Sequence, residues 1–442
     1  MTDLSRRDVL KAGVTVTAAA AGSGLVLPNG VARTAPAWNN QPESNAQIRV
    51  LRWKQFVQGD IDAFNASTKK FTEETGIKVR VDTESWEDVR PKAAVAANVG
   101  AGPDIIIGTN DDPHKFPEKL VPLNDLADYL GGKYGGWYDV CKSYGIRGND
   151  WIALPQGVNG SCFNYRISAV RKAGFETFPN DLPGLLKLCQ ALKAAGTPAG
   201  FALGHATGDA NNWTHWCLWA HGGKVVDQNS KVVLDSPETV AALEYAKQLA
   251  DTFISGTLSW QDPHNNKAFL SGDIALTGNG ISIYAVAKNS KDPAVLAIAK
   301  DMNHAPNPIG PVGRPMEQNL QMVAFLFKYS KYPKAAKEYL RFMWEEEQYG
   351  PWMAASNGYV SQPLKAYASN PIWTVDPKNT PYRDAAGRSV QNGYAGPLGY
   401  ASAAVMGDFI VVDMFAEVCS SNQTAKAAAQ RAADRAKRYY EI

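Results

Sequence analysis

The stretch that most constrains the fold is residues 100–112, which read GAGPDIIIGTNDD. Its three consecutive isoleucines, at 105–107, are β-branched and do not alternate with polar residues. A strand covered by helices on both faces has this pattern, and such strands are typical of parallel sheets. Asn110 and Asp111 then lie at the carboxyl end of the strand. Because ligands of open α/β sheets bind beyond these ends, the stretch predicts one edge of a ligand cleft.

Strand and helix signals alternate before this stretch. Residues 48–53 alternate apolar and polar side chains, and so do residues 77–82, as expected of strands. Residues 61–71 repeat apolar side chains at helical spacing, and Gly76 follows as a C-terminal helix signal. Residues 86–97 predict a second helix. The resulting order of strand, helix, strand, helix and strand predicts an α/β fold with a parallel sheet.

The later part of the chain continues this mixture of elements. Residues 182–195 and 332–349 are amphipathic and predict one helix each, and the alanine-rich residues 423–440 predict a closing helix. Residues 301–319 are rich in proline, glycine and asparagine, which predicts a loop or a crossover.

The N-terminus carries the pattern of an export signal. Ser5 to Lys11 contain paired arginines, an apolar pair and a lysine, which resembles the twin-arginine (Tat) motif. A weakly apolar, glycine-rich segment follows at residues 12–27, and small residues at 35–37 offer a cleavage site. We therefore predict a Tat-type signal peptide over residues 1–37, export by the Tat translocase and a periplasmic location; a chance basic N-terminus is the alternative.

Charge and length exclude several classes of protein. The 442 residues suffice for two or three domains, and the net charge is +2. Without residues 1–37 the chain keeps 41 basic and 41 acidic side chains, a net charge of zero. This balance favours neither nucleic acid nor an anionic membrane as a partner.

The five cysteines are irregularly spaced and form no CxxC pair, so we predict no zinc site. Their odd number leaves at least one thiol unpaired within the chain. We interpret most of them as buried free thiols, and one disulfide remains open. The cysteines are Cys141, Cys162, Cys189, Cys217 and Cys419.

Several segments, in order along nearly the whole chain after residue 37, resemble the extracellular solute-binding proteins of ABC importers. The likeness is greatest to the sugar-binding group that includes maltose-binding protein. Each motif is weak alone, whereas the ordered set is specific. The segments are residues 71–82, 100–111, 121–126, 151–155, 164–165, 182–195, 222–223, 269–276, 335–343 and 357–360.

The resemblance implies a periplasmic-binding-protein fold, in which two α/β lobes surround a hinged ligand cleft. Carried over to this chain, lobe 1 would hold residues 46–154 and 316–350, and lobe 2 would hold residues 156–312 and 351–442. It implies a monomer that binds a carbohydrate or polyol, delivers it to the transmembrane subunits of an ABC permease, and uses no cofactor or metal.

Sugar recognition needs aromatic faces and planar polar side chains, and predicted strand ends supply both. Trp53 and Gln55 follow the first strand, although Trp53 could equally be core. Asn110 and Asp111 end the isoleucine strand, with a solvated turn or a helix cap as the alternative. Asn159 follows the segment in which the resemblance places the first crossing between lobes.

Residues 209–219 contain three tryptophans at spacings of three, near one side of a predicted helix. Core packing is favoured for Trp216 and Trp219. Trp213 lies nearest the asparagine-rich start and matches the place where the family has a stacking aromatic, so ligand contact and core packing both stay open. Asn279 falls where the family has a Gly-x-Trp motif, but here Gly280 and Ile281 follow and the tryptophan is missing.

The remaining candidates lie late in the chain. Gln318 sits at the second crossing that the resemblance implies, and Tyr394 and Tyr400 flank a glycine-rich loop. The alternative function is a Tat-exported periplasmic carbohydrate-active enzyme, a glycoside hydrolase or lyase. No GxSxG, HExxH or phosphate-loop motif supports it, and we predict no catalytic residues.

Overall fold

The computed structural model of the protein describes residues 36–54, 56–420 and 423–441. The predicted signal peptide lies outside these residues apart from its last two positions, and Gln55 also lies outside them. Across the described part of the chain, no helix combines the length and the apolar character that a membrane crossing requires.

Ten strands are present in the described residues. They are β1 (Gln47–Trp53), β2 (Lys78–Glu84), β3 (Ile105–Thr109), β4 (Ile146–Arg147), β5 (Asp150–Trp151), β6 (Leu154–Asn159), β7 (Cys162–Arg166), β8 (Leu276–Asn279), β9 (Met302–Ala305) and β10 (Leu320–Leu326).

The same residues form nineteen α-helices. They are α1 (Gln58–Thr75), α2 (Trp86–Val99), α3 (Asn124–Lys133), α4 (Asp139–Gly145), α5 (Ile167–Lys172), α6 (Leu182–Ala194), α7 (Asp209–Ala220), α8 (Pro237–Ala250), α9 (Asp262–Ser271), α10 (Ser282–Lys288), α11 (Pro293–Asp301), α12 (Pro333–Trp344), α13 (Glu346–Ala355), α14 (Ile372–Val375), α15 (Thr380–Arg383), α16 (Ala385–Arg388), α17 (Tyr400–Gly407), α18 (Ile410–Ser420) and α19 (Ala425–Tyr440).

The larger sheet has five strands in the order β2-β1-β3-β10-β6. β1 pairs in parallel with β2 and β3, whereas β10 is antiparallel to both of its neighbours. The predicted β-α-β-α-β start of the chain is therefore confirmed. Every residue of β3 is buried, as expected for a strand covered on both faces. We call this sheet with its covering helices lobe 1.

The smaller sheet is antiparallel, with the order β8-β7-β9. Phe163 of β7 packs in one apolar cluster with buried side chains of α6, α7, α8, α18 and α19. Helix α19 buries alanines at 425, 428, 429, 432, 433 and 436, a spacing that lets it lie close to its neighbours. We call this second layered unit lobe 2.

The chain crosses between the lobes more than once. β6 belongs to the larger sheet and β7 to the smaller one, so the first crossing follows Asn159. The chain returns between β9 and β10, where Glu317 forms a buried ion pair with Arg388 at 2.7 Å. After β10, α13 packs on α1 of lobe 1, whereas α18 and α19 pack on lobe 2. The lobe boundaries carried over from the family stay a prediction.

Local signals match the structure in most places. α1 buries Phe64, Thr68 and Phe71 on one face and ends at Gly76, whose φ of 73° suits a residue without a Cβ. The single helix predicted over residues 332–349 is wrong. The structure has α12 and α13 instead, because Glu345 between them is extended and its carboxylate binds Lys133 at 2.6 Å. β9 also lies within the predicted loop at 301–319.

Candidate functional site

A pocket lies between the two lobes at the edge of the larger sheet where β1 and β6 end and β10 begins. The pocket is narrow in this structure, with a cavity volume of about 20 Å³, and it opens to solvent. Lobe 1 contributes an aromatic wall, and lobe 2 contributes a wall of amide, hydroxyl and carboxyl groups. This is the kind of concave site in which proteins hold small polar molecules.

The aromatic wall is built around Trp53, the last residue of β1. Its ring stacks on Trp86 with centroids 4.4 Å apart and an interplanar angle of 21°. The two rings meet because β1 and β2 are parallel neighbours and Trp86 begins the helix that follows β2. Phe56 and Tyr359 complete the wall, at 5.3 and 5.7 Å from Trp53. Such a surface can cover the apolar C–H face of a sugar ring.

The polar wall begins with a chain of hydrogen bonds. Asn279 at the end of β8 donates to Asn266 of α9, and Asn266 donates to Ser282 of α10 at 3.1 Å. The side chain of Asn159 lies beside them and packs against Gly280. A Cβ atom added at Gly280 would lie only 2.5 Å from Oδ1 of Asn159. Amide and hydroxyl groups of this kind both donate and accept, as the hydroxyls of a polyol require.

Two carboxylates form the rest of this wall. Asp262, the first residue of α9, accepts the backbone N–H groups of Gly208 at 3.1 Å and of Asp209 at 2.8 Å. These donors belong to the first turn of α7, which has no cap from its own side chains. Asp262 therefore caps α7 from a distant segment and holds its first turn against the pocket.

Asp209 reaches the pocket from the start of α7 and keeps part of its surface open. Its carboxylate accepts from Asn265 Nδ2 at 2.8 Å. Burial, and then repulsion from Asp262, raises the pKa of Asp209 well above its ordinary value. Burial also raises the pKa of Asp262, to about 6. The backbone N–H groups that bind its carboxylate favour the ionised form and oppose this effect, but burial is the larger of the two.

Asn212 lies one turn farther along α7 and also lines the pocket. Its side chain is 5% exposed, and its Oδ1 has no hydrogen-bond partner. An unpaired buried acceptor costs free energy, and a donor supplied by a ligand would remove that cost.

Of the predicted binding residues, the structure brings Trp53, Asn159 and Asn279 together in this pocket. They come from three different strands, β1, β6 and β8, whose ends meet between the lobes. Gln55 follows Trp53 by two positions and lies outside the described residues.

Asn110, Asp111 and Gln318 form a separate buried cluster at the same edge of the larger sheet. Asn110 Oδ1 accepts a backbone N–H of β10 at 3.0 Å. Asp111 accepts from Asn392 at 3.2 Å and from Ser402 at 2.7 Å, and Gln318 donates to Asn392 at 3.1 Å. Segments from the C-terminal part of the chain thus cover these residues, and none of the three lines the pocket.

The structure places Trp213 in the core of lobe 2. Its ring packs against Phe201, Phe253 and Phe415, and its Nε1 donates to the carbonyl of Ala202 at 2.6 Å. Both the apolar faces and the polar handle of the indole therefore have partners within lobe 2, away from the pocket.

The two predicted tyrosines also lie away from the pocket. Tyr394 contacts Trp219 edge-on at 5.9 Å and accepts from Arg314 at 3.3 Å. Tyr400 begins α17 and is 54% exposed. The ligand-contacting roles of these residues, like that of Trp213, stay predictions that were made from sequence alone.

Sequence reasoning missed most of the lobe 2 wall. It singled out residues 209–219 but favoured a tryptophan over Asp209 and Asn212. The sequence did contain a signal for Asp262, because an aspartate followed by a proline is typical of the start of a helix, and Asp262 is the first residue of α9. Trp86 likewise begins α2 directly after a strand end. Nothing in the sequence indicates that Tyr359 reaches the same pocket.

No cysteine is among the residues that line the pocket. Four of the five cysteines are buried, and all of them are free thiols in the structure. Among the described residues, no group of three or more His, Cys, Asp or Glu side chains is arranged to hold a metal ion.

Two α/β lobes with a pocket between them are the architecture of two-lobe solute-binding proteins. This chain belongs to the bacterial extracellular solute-binding protein family, whose model matches residues 66–381. A curated protein of Deinococcus radiodurans, named "Probable ABC transporter-binding protein", is 24% identical over 204 residues. That match covers 44% of this chain and 48% of the relative, so it spans about half the length of the curated protein.

Solved structures with the same fold cover most of the chain. Maltose-bound MalE3 of T. maritima is 18% identical with a TM-score of 0.76, over 89% of this chain and 99% of that one. A sugar transporter protein of Arthrobacter chlorophenolicus with bound laminaribiose is 17% identical with a TM-score of 0.76, over 89% and 99%. A solute-binding protein of Agrobacterium radiobacter in complex with ribitol is 17% identical with a TM-score of 0.72, over 90% and 100%. The predicted periplasmic-binding-protein fold is confirmed by these similarities.

Proposed function

We propose that this protein is the periplasmic substrate-binding component of an ABC importer, and that it holds a carbohydrate or polyol in the pocket between its lobes. The observation that carries the proposal is the pairing of two different walls. The stacked rings of Trp53 and Trp86 face a wall of Asn266, Asn279 and Ser282. A sugar presents a matching pair of surfaces, apolar C–H faces and a rim of hydroxyls.

The ligands of structurally similar proteins support this class of solute. The neighbours named above were solved with maltose, laminaribiose and ribitol, two disaccharides and a polyol. Members of the family are binding proteins. We infer that this chain likewise binds its solute without chemical change and acts as a monomer.

The arrangement of the walls suggests how binding could be signalled. A ligand that touches both lobes has more contacts when the lobes are closed, so it shifts the population toward the closed form. In the proposed mechanism, the transmembrane subunits of the permease recognise that closed form and accept the solute. Export through the Tat translocase would place the protein in the periplasm.

A thermal-shift screen against neutral sugars, amino sugars and polyols tests the proposal. A true ligand should raise the melting temperature and change the fluorescence of the Trp53–Trp86 stack. Asn266→Ala should weaken that ligand at least tenfold, because Asn266 joins Asn279 and Ser282. The exposed turn residue Asn229 gives a matched control, Asn229→Ala, which should bind as the wild type does. A panel without any stabilising sugar or polyol would refute the proposal.

The carbohydrate-active enzyme is the second candidate, because two carboxylates share the pocket. Glycosidases need their two acids on opposite sides of the scissile bond. Here both acids lie on the lobe 2 wall, and Asp262 is engaged by backbone N–H groups. Turnover of a chromogenic glycoside by the wild type but not by Asp209→Asn would favour the enzyme. Recovery of an intact ligand at one equivalent per chain favours the binding protein.

A further inference from the structure

Outside the pocket, one buried carboxylate, that of Asp111, is held by the neutral donors of Asn392 and Ser402. Four more form ion pairs of 2.6–2.7 Å with lysine or arginine, which offsets the cost of burying their charge. These pairs are Asp60 with Arg52, Asp112 with Arg90, Glu345 with Lys133, and Glu317 with Arg388.

Asp209 and Asp262 differ from these four ion-paired carboxylates. Among the described residues neither forms an ion pair, and no lysine, arginine or histidine lines the pocket. Within the described part of the chain, the hydrogen bonds to Asp262 come from backbone N–H groups, and Asp209 receives one from the neutral amide of Asn265. Glu87 adds a further negative charge near Asp262. The pocket therefore holds two carboxyl groups that have no cationic partner among its lining residues.

A second, independent observation points to a ligand at the same place. Asn212 is one turn from Asp209 on α7, lines the pocket, and leaves its buried Oδ1 unpaired. Asp209 and Asn212 thus both offer acceptor oxygens to whatever occupies the pocket. An ammonium group supplies three donors and a positive charge, and so satisfies both acceptors.

The opposite wall is compatible with a cation. Trp53, Trp86 and Tyr359 line this wall, and the face of an aromatic ring attracts a cation that is desolvated between the lobes. The amide and hydroxyl groups of Asn266, Asn279 and Ser282 remain for the hydroxyls of the same ligand. The pocket thus offers carboxyl groups to an ammonium group and amide and hydroxyl groups to the hydroxyls of the same ligand.

We propose that the solute of this protein is a cationic aminated sugar or amino polyol, with its ammonium group held by Asp209 and Asn212. This inference rests on the proposed function and narrows its substrate class. The same site disfavours uronic acids and sugar phosphates, because no lysine, arginine or histidine lines the pocket to compensate their anionic groups.

Isothermal titration calorimetry at about pH 7 with matched ligands tests the inference. The probes are glucosamine, galactosamine and mannosamine, each compared with its neutral parent hexose and its N-acetyl derivative. At least one amine should bind tenfold or more tighter than both of its neutral counterparts. Its binding should also release a proton to the buffer, because the ammonium favours the ionised form of Asp209. Two buffers of different ionisation enthalpy measure that release.

Asp209→Asn is the decisive variant, since it keeps the shape of the side chain and removes its charge. It should bind the amine and its parent sugar with affinities within threefold of each other, without proton release. Asp128→Asn removes an exposed carboxylate of α3 and should keep the wild-type preference. If Asp209→Asn does not fold, Asn212→Ala should reduce the preference for the amine at least threefold.

The outcomes separate this inference from the proposed function. Equal binding of amines and neutral sugars would overturn the inference and leave the proposed function standing. Binding of putrescine or spermidine without any aminated sugar would overturn it as well, because those amines lack hydroxyls. Absence of binding by every sugar and polyol, charged or neutral, would instead refute the proposed function.

Discussion

Asp262 accepts a hydrogen bond from the backbone N–H of Asp209 at 2.8 Å, although 53 positions separate the two residues. This bond joins the starts of α7 and α9 and thereby builds the lobe 2 wall of the pocket. Because α7 has no local cap, the placement of Asp209 and Asn212 depends on a carboxylate from another segment.

Replacement of this cap should affect both stability and binding. Asp262→Ala is expected to lower the free energy of unfolding by about 1–2 kcal/mol, the usual cost of a lost N-cap. It should also weaken solute binding, since the first turn of α7 loses its support. Asp262→Asn keeps an acceptor oxygen and should stay within about 1 kcal/mol of the wild type. Urea unfolding and titration calorimetry measure both effects, and an alanine variant as stable as the wild type would contradict the capping role.

The same two carboxylates predict a pH dependence of stability. Burial raises the pKa of both, that of Asp262 to about 6. The folded protein therefore keeps protons that the unfolded chain has released. The pair thus contributes its full share to the free energy of unfolding below about pH 4, near the ordinary pKa of an aspartate. This contribution is lost as pH rises through about 6 and above, where the folded protein must also release the protons.

Comparison with a variant isolates this contribution from other titrating groups. The double variant Asp209→Asn/Asp262→Asn should gain stability relative to the wild type between about pH 5 and about pH 8. Urea unfolding at several pH values measures the difference. A difference that does not change with pH would contradict the raised pKa of the pair.

Trp213 should behave as a core residue. Trp213→Ala is expected to cost about 3–5 kcal/mol of unfolding free energy, because it leaves a cavity among Phe201, Phe253 and Phe415. Trp213→Phe keeps most of the ring packing and should bind solute within threefold of the wild type. If the phenylalanine variant folds normally but loses solute binding, the ligand-contacting role predicted from sequence would be supported instead.

Ser402 should be important for stability. It donates to the fully buried carboxylate of Asp111 at 2.7 Å and so links α17 to the end of β3. Ser402→Ala leaves an acceptor of Asp111 unsatisfied and should cost about 1–3 kcal/mol in thermal or urea unfolding. Ser369→Ala, at an exposed serine, is the control and should change stability little. An equal effect of the two substitutions would argue against this link.

Local patterns predicted most of the elements in lobe 1. The isoleucine run, the apolar face of α1 and the C-terminal Gly76 each depend on neighbours within one element, so a single sequence reveals them. The break at Glu345 was missed because no proline or glycine marks it, although in the structure its backbone is extended and its carboxylate binds Lys133 of a separate helix.

The candidate site was only partly predictable. Trp53, Asn159 and Asn279 were found because each lies at the end of a strand, and strand ends are readable in sequence. Asn110 and Asp111 also lie at a strand end, yet the structure covers them with residues such as Asn392. Which strand ends stay open depends on the path of the C-terminal segment, and local periodicity carries no information about that path.

The sequence by itself determined the fold class, the family and the chemistry of the strand ends, because periodicity, turn residues and ordered motifs are local properties. Only the tertiary structure decided which polar groups share one pocket. The capping of α7 by Asp262 and the absence of a cation beside Asp209 are relations between segments far apart in the chain. They exist only once these segments have packed together within lobe 2, and hydrophobic burial and long-range hydrogen bonds fix that packing.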